Sequence, residues 1–130
     1  VYVNSEFKEI EHVIKLYLEG LYERKFPLLE EAFWEEARNV GVTPDNKFWF
    51  KNMDFWEEKC SKLLDKGAND NRFFEIESVD IWHNSAVAKV KMTVSHPERF
   101  YECTDFLSFL KIDGNWKIVH KLWSGRNTPK

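Results

Sequence analysis

Between Ser5 and Tyr22 the apolar residues fall at Phe7, Ile10, Val13, Ile14, Tyr17, Leu18 and Leu21, with Glu11, Lys15 and Glu19 on the opposite side. That spacing predicts an amphipathic helix. Ser5 is placed to cap it and Glu6 suits its first turn. A second, shorter helix is predicted from Pro27 to about Ala37, with Leu28, Leu29, Ala32 and Phe33 inward. Proline fits there because a first helical turn has no use for its missing N–H. Gly41, Pro44 and Asp45-Asn46 read as a loop. The next apolar run, Phe48-Trp49-Phe50, is too short to classify alone. A third helix is expected from about Asn52 to Lys66, with Phe55, Trp56, Cys60, Leu63 and Leu64 apolar. Gly67-Ala68-Asn69-Asp70-Asn71 is a flexible-looking stretch too short to link domains, so residues 1–130 are expected to form one domain.

After that stretch the period drops to two. Phe73 to Trp82 and Ala86 to His96 read as strands joined at His83-Asn84-Ser85. Ala86, Ala88, Val90, Met92, Val94 and His96 share one face, and Lys89 and Lys91 the other. Arg99 to Ile112 and Trp116 to Trp123 flank Asp113-Gly114, a strong hairpin signal. Pairing about that turn sets Lys111 opposite Trp116, Phe109 opposite Ile118, Leu107 opposite His120 and Asp105 opposite Leu122. Strict alternation then gathers Tyr101, Cys103, Asp105, Leu107, Phe109, Trp116, Ile118 and His120 on an apolar, inward face. Phe106, Ser108, Leu110, Val119, Lys121 and Trp123 fall on the outer face. Helices first and an antiparallel meander afterwards make an α+β fold.

Composition narrows the partners. The apolar fraction is 43% and the charged fraction 32%, which argues for a packed globule. Six Trp, eleven Phe and four Tyr supply large flat faces for a bulky core or a cavity wall. A net charge of −3, with Lys and Arg scattered among Asp and Glu, forms no basic stripe and argues against nucleic-acid binding. No apolar run approaches a membrane span, and no signal-peptide pattern opens the chain. A soluble, cytoplasmic protein is the expectation, although Val1 in place of Met leaves room for a removed leader. Cys60 and Cys103 are expected to be reduced, partly buried thiols.

The hairpin running from Asp105-Phe106-Leu107-Ser108-Phe109 through Asp113-Gly114-Asn115-Trp116-Lys117-Ile118 to Lys121 carries a family resemblance. It resembles the closing signature of the putative lumazine-binding branch of the nuclear-transport-factor-2-like superfamily. There an Asp opens an apolar strand and a Gly-x-Trp-Lys-Ile run follows the turn. Tyr17-x-x-Gly20 and Phe33-x-x-Glu36-Ala37 also fit members of that branch. The resemblance implies a cone-shaped, cystatin-like α+β fold. Three N-terminal helices would pack on a strongly curved antiparallel sheet with a mixed edge, around an inner cavity. It also implies helices over the cone's mouth and, in many members, a homodimer through the sheet. Relatives include ketosteroid-isomerase-like, dehydratase-like and polyketide-cyclase-like enzymes.

Asp105 and His120 are the polar groups that this pattern points inward, and burying either is costly without a partner or a wet cavity. One reading is a small-molecule pocket for proton transfer, in a lyase, isomerase or cyclase. Asp105 would be the general acid or base, with His120 or His96 as its partner. The resemblance to ketosteroid isomerases would make Tyr17 a donor to a developing oxyanion. Trp34, Phe48, Trp49, Phe55, Trp56, Met92, Tyr101 and Cys103 would wall an apolar, aromatic-lined cavity holding a small apolar or aromatic ligand. The other reading is a non-catalytic ligand-binding, dimerisation or accessory domain. Asp105 would then take structural hydrogen bonds from donors such as Tyr17, and the tryptophans would be core or lid. His12 and His83 read as solvated. His96, Cys103, Asp105 and His120 lack metal-site spacing, so no metal or cofactor is expected. The outer face, with Phe106, Leu110, Val119 and Trp123, is the expected homodimer surface.

Overall fold

The computed structural model describes residues 2–61 and 71–130, with side chains from residue 5 onward. In chain order it runs α1 (Tyr2–Glu23), α2 (Phe26–Ala32), β1 (Phe33–Val42), β2 (Phe48–Lys51), α3 (Met53–Ser61), β3 (Asn71–Trp82), β4 (Ser85–Ser95), β5 (Arg99–Ile112) and β6 (Asn115–Pro129). The helices pack on a six-stranded sheet of order β2-β1-β6-β5-β4-β3. Neighbouring strands are antiparallel except β1 and β6, whose parallel pairing makes the mixed edge.

Local chemistry explains the joints. Arg24 takes a left-handed backbone (φ 55°), and the Lys25 N–H donates back to the Gly20 carbonyl at 2.9 Å, which ends α1. Pro27 occupies the first turn of α2. Asn52 caps α3, its Oδ1 accepting from the Phe55 N–H at 3.4 Å. Asp113 (φ 51°) and Gly114 (φ 82°) both take the positive φ that a two-residue turn between β5 and β6 requires.

Several expectations are corrected. Ser5 lies inside α1, which begins at Tyr2. The second helix stops at Ala32, and the stretch expected to continue it is β1. Glu35, Glu36, Ala37 and Arg38 favour helix locally, yet a strand there bridges β2 and β6 and buries Ala37, Asn39 and Gly41. Tertiary pairing overrides local propensity. The third helix is described to Ser61, so the rest of its expected span and Gly67 to Asp70 lie outside the described residues.

The largest correction is one residue wide. Phe109 pairs with Ile118 as expected, but Ser108 pairs with His120 and Leu107 with Lys121, leaving Val119 as a bulge. From that point every side chain of β6 changes face. His120 and Leu122 go outward; Lys121 and Trp123 come in. β1 also slips against β6 there, Phe33 meeting Ile118 and Arg38 meeting His120. A further slip, at Glu77 of β3, lies near the level of Asp105. Bulges add local bend and twist, and these curve the sheet around its inner face.

α1 crosses that face, burying Ile10, Val13, Ile14, Tyr17 and Leu18 in one core with Ala88, Val90, Leu107, Phe109 and Ile118. Its first turns are tied down by Glu6, which accepts from Lys111 Nζ at 2.9 Å and Trp116 Nε1 at 2.6 Å. These two hydrogen bonds hold the Glu6 carboxyl below its ordinary range.

Candidate functional site

Two adjacent rungs of the sheet carry the inward polar residues. One runs Trp49, Gly41, Trp123, Asp105, Val90, Ile76 across all six strands. The next runs Lys51, Asn39, Lys121, Leu107, Ala88, Val79. Asp105 and Lys121 are therefore diagonal neighbours, with backbones about 7–8 Å apart. Gly41 is required in the first rung, because a Cβ there would overlap the indole of Trp123.

Asp105 is 2% exposed. Tyr17, directly above it on α1, donates its hydroxyl to Oδ2 at 2.6 Å, and the Cys103 thiol donates to Oδ1 at 3.5 Å. Burial and the Asp105 charge push the Tyr17 phenol well above its ordinary value, so it stays a neutral donor. The same causes push the Cys103 thiol up to about 12, which keeps it protonated. The Tyr101 hydroxyl lies against the Cys103 sulfur, and burial raises its pKa too.

Lys121 is 6% exposed. Its ammonium stands 5.0 Å from the ring centre of Tyr17, 5.4 Å from Trp56 and 5.9 Å from Trp123. Such contacts give roughly 0.5–2 kcal/mol each. Lys121 and Asp105 form no ion pair, and among the described residues Lys121 has no other carboxylate partner. Three buried polar atoms beside it have no hydrogen-bond partner: Asn39 Oδ1, Trp56 Nε1 and Trp123 Nε1. A buried polar group without a hydrogen bond costs about 1–3 kcal/mol. This corner of the core therefore holds free acceptors on Asp105 and Asn39, and free donors on Lys121, Trp56 and Trp123.

A family described as putative lumazine-binding matches residues 5–124. The chain belongs to that family. No curated protein sequence matches it. Among solved structures, an NTF2-like protein of unknown function from Shewanella baltica is similar at 24% identity, covering 97% of each chain with a TM-score of 0.77. Another NTF2-like protein of unknown function, from Silicibacter pomeroyi, is similar at 22% identity, over 95% of this chain and 98% of that one, with a TM-score of 0.77. A hexachlorocyclohexane dehydrochlorinase from Novosphingobium barchaimii is similar at 11% identity, over 97% and 90% of the two chains, with a TM-score of 0.70. These likenesses establish the nuclear-transport-factor-2-like fold, in agreement with the α+β reading.

In this lumazine-binding-family chain the expected site residues separate into three groups. Asp105, Tyr17, Cys103 and Tyr101 form one polar row, and Trp49, Phe55 and Trp56 stack beside it with ring centres 5.2–6.0 Å apart. Met92 and Trp34 line separate grooves. One, of about 400 Å³, lies between α1 and the start of β3; the other, of about 360 Å³, lies between α2 and α3. His120, His96 and Phe48 are corrected out of the site. The Val119 bulge turns His120 outward. His96 lies in the turn after β4, six residues beyond the partner of Asp105, or roughly 20 Å along the strand. Phe48 is 74% exposed on the edge strand.

The aromatic residues close over Lys121 instead of framing an open cavity, and the grooves lined by Met92, by Trp116 and by Trp34 do not include Asp105. Of the two roles expected of Tyr17, its hydroxyl takes the one of donor to Asp105, so its proton is engaged there and not turned toward an open cavity. Lys121, Asn39 and Trp123 were missed as site residues because nothing in the sequence marks the bulge or the β1 strand that place them. Among the described residues no three His, Cys, Asp or Glu side chains converge as a metal site needs, and no helix is long and apolar enough to cross a membrane.

Proposed function

We propose that this chain binds a flat heterocycle bearing neighbouring carbonyl and N–H groups, and moves a proton on it. One observation carries the reading: two buried groups of opposite charge, Asp105 and Lys121, occupy adjacent rungs without pairing. A ligand between them would offer N–H or acidic C–H to Asp105 and a carbonyl to Lys121. The Trp56 and Trp123 N–H groups and Asn39 Oδ1 would take its remaining polar edge. Pteridinediones, the class named in the family description, have this pattern.

Asp105 would take the proton, and the electron pair left behind would move onto the carbonyl oxygen beside the Lys121 ammonium. Returning the proton to another atom completes an isomerisation; expelling a leaving group completes an elimination. Tyr17 and Cys103 each donate to one Asp105 oxygen and fix its direction. Entry requires α3 to move outward, since Trp56 covers Lys121; among the described residues α3 buries Met53, Trp56 and Cys60.

Lumazine is therefore expected to quench tryptophan fluorescence saturably in wild-type protein and at least tenfold more weakly in Asp105→Leu, by roughly 1.4 kcal/mol or more. Equal binding by both proteins would overturn the site. Solvent-deuterium exchange at an acidic C–H of a bound 6- or 7-alkyl-lumazine separates proton transfer from binding alone.

The outer face supports a second surface. Val87, Phe106, Leu110 and Leu122 are each 43–46% exposed, with Phe106 directly opposite Leu122. Trp123, expected on this outer face, is inside; Leu122 takes its place. A homodimer through this face is part of the proposal. Leu122→Asp is expected to yield a folded monomer by sedimentation, while a monomeric wild-type protein at high micromolar concentration would end that reading.

A further inference from the structure

Trp123 sits on the rung of Asp105, between that residue on β5 and Gly41 on β1. A Cβ at Gly41 would lie within 2.5 Å of three linked ring atoms of Trp123, Cδ2, Cε2 and Nε1. A point that close to all three stands over the face of the ring and not at its edge. The indole therefore lies flat on the Gly41 backbone. Trp49, next along the rung, meets it edge-on with ring centres 5.3 Å apart, and Lys121 Nζ stands 5.9 Å from its ring centre.

Buried tryptophans usually find a partner for the indole N–H. Trp123 Nε1 is buried and, among the described residues, has none, which costs about 1–3 kcal/mol. An alanine at position 41 with an aliphatic side chain at position 123 would fill the same space and leave nothing unpaired. The seat thus has the shape of a flat fused ring, while its polar surroundings are not matched by an indole. A pteridinedione has nearly the same outline, with carbonyl and N–H groups around its rim. Asp105 and Lys121 stand where those groups would meet them.

We infer that the ligand's ring takes the seat on Gly41 that the Trp123 indole fills, and that Gly41 thereby selects a planar, oxidised heterocycle over a reduced one. The inference rests on the pocket reading above. Trp123 tips off Gly41 as the ring enters and turns its N–H to the ligand's edge, the contact that reading gives it. A reduced ring has saturated carbons, so it puckers and carries hydrogens on both faces. It cannot lie against a backbone that has no room for one Cβ. NMR on the wild-type protein reads the seat directly. Nuclear Overhauser contacts between the Gly41 α-protons and the Trp123 ring are expected in the free protein. Saturating lumazine should remove them and replace them with contacts from its own ring protons to Gly41. Tetrahydrolumazine, kept anaerobic, should bind at least about tenfold more weakly than lumazine, as steric overpacking would impose. In Trp123→Ala the seat is vacated. Free indole should then bind and raise the Tm, which it should not do in wild type, and lumazine should compete with it.

Lumazine that binds wild type and leaves the Gly41–Trp123 contacts in place would overturn the inference, and the pocket reading would stand. So would tetrahydrolumazine bound as tightly as lumazine, or indole and lumazine held together by Trp123→Ala. If lumazine binds neither protein while indole fills the vacated seat, the pocket reading fails and this inference fails with it. The measurement on wild type decides the matter even where Trp123→Ala does not fold.

Discussion

Tyr17→Phe is expected to lower the unfolding free energy by about 2 kcal/mol at neutral pH, within the 1.5–3 kcal/mol range for hydrogen bonds to charged groups. The substitution keeps the ring, its edge contact with Phe33 at 5.4 Å and its face toward Lys121, and removes only the hydroxyl. Asp105 would then be a buried carboxylate whose remaining donor is the Cys103 thiol at 3.5 Å. The same hydroxyl predicts an alkaline signature. Burial and Asp105 raise the phenol pKa in the folded protein well above 10, whereas the unfolded chain releases that proton near 10. The stabilisation is thus fully present below pH 10 and is lost as pH rises from there toward the folded value. One such proton gives a slope of about −1.4 kcal/mol per pH unit. Tyr101, raised in the same direction by burial, adds to the wild-type slope. Tyr17→Phe should remove the share of one tyrosine and leave that of Tyr101. Urea titrations at neutral and alkaline pH test both parts. A variant within about 0.5 kcal/mol of wild type would mean that Asp105 is satisfied by something other than Tyr17.

Much of the fold could be read from the sequence because local and global signals agree there. The stripe from Ile10 to Leu18, the alternation along β4, and Asp113-Gly114 each point to one arrangement, and the structure has it. β1 was unreadable for the opposite reason. Glu35-Glu36-Ala37-Arg38 is locally helical, and only the presence of β2 and β6 on either side makes it a strand. Asp105 was legible because β5 keeps strict alternation on both sides of it. Its neighbour across the sheet was not. Val119 adds a single unpaired residue to β6, and period-two counting has no way to register it. That residue exchanges His120 for Lys121 on the inner face and moves Trp123 from the outer face to the rung of Asp105. The inward position expected of a histidine is taken by a lysine held over aromatic rings.

Lys121→Met is expected to make the protein more stable while weakening binding of the pteridine probe. In the unliganded fold the ammonium gains from three rings 5.0–5.9 Å away, roughly 0.5–2 kcal/mol apiece. Against this stands the cost of holding a lysine 6% exposed in the core with no carboxylate partner among the described residues. Methionine has a similar length and no charge, and its thioether packs well against the faces and edges of Tyr17, Trp56 and Trp123. Asp105 keeps both of its donors in the variant. The expected gain is about 1–2 kcal/mol, or a Tm higher by roughly 5 °C for a domain of this size. Binding should weaken by about two orders of magnitude, because the ligand carbonyl would face a thioether where it had an ammonium. Calorimetry and the fluorescence titration read the two effects on one sample. Opposite signs for stability and binding mark a residue kept for its ligand at a cost to the fold. A variant that loses stability by 3 kcal/mol or more would show that the lysine holds the core together, and would remove the charge on which the proposed site depends.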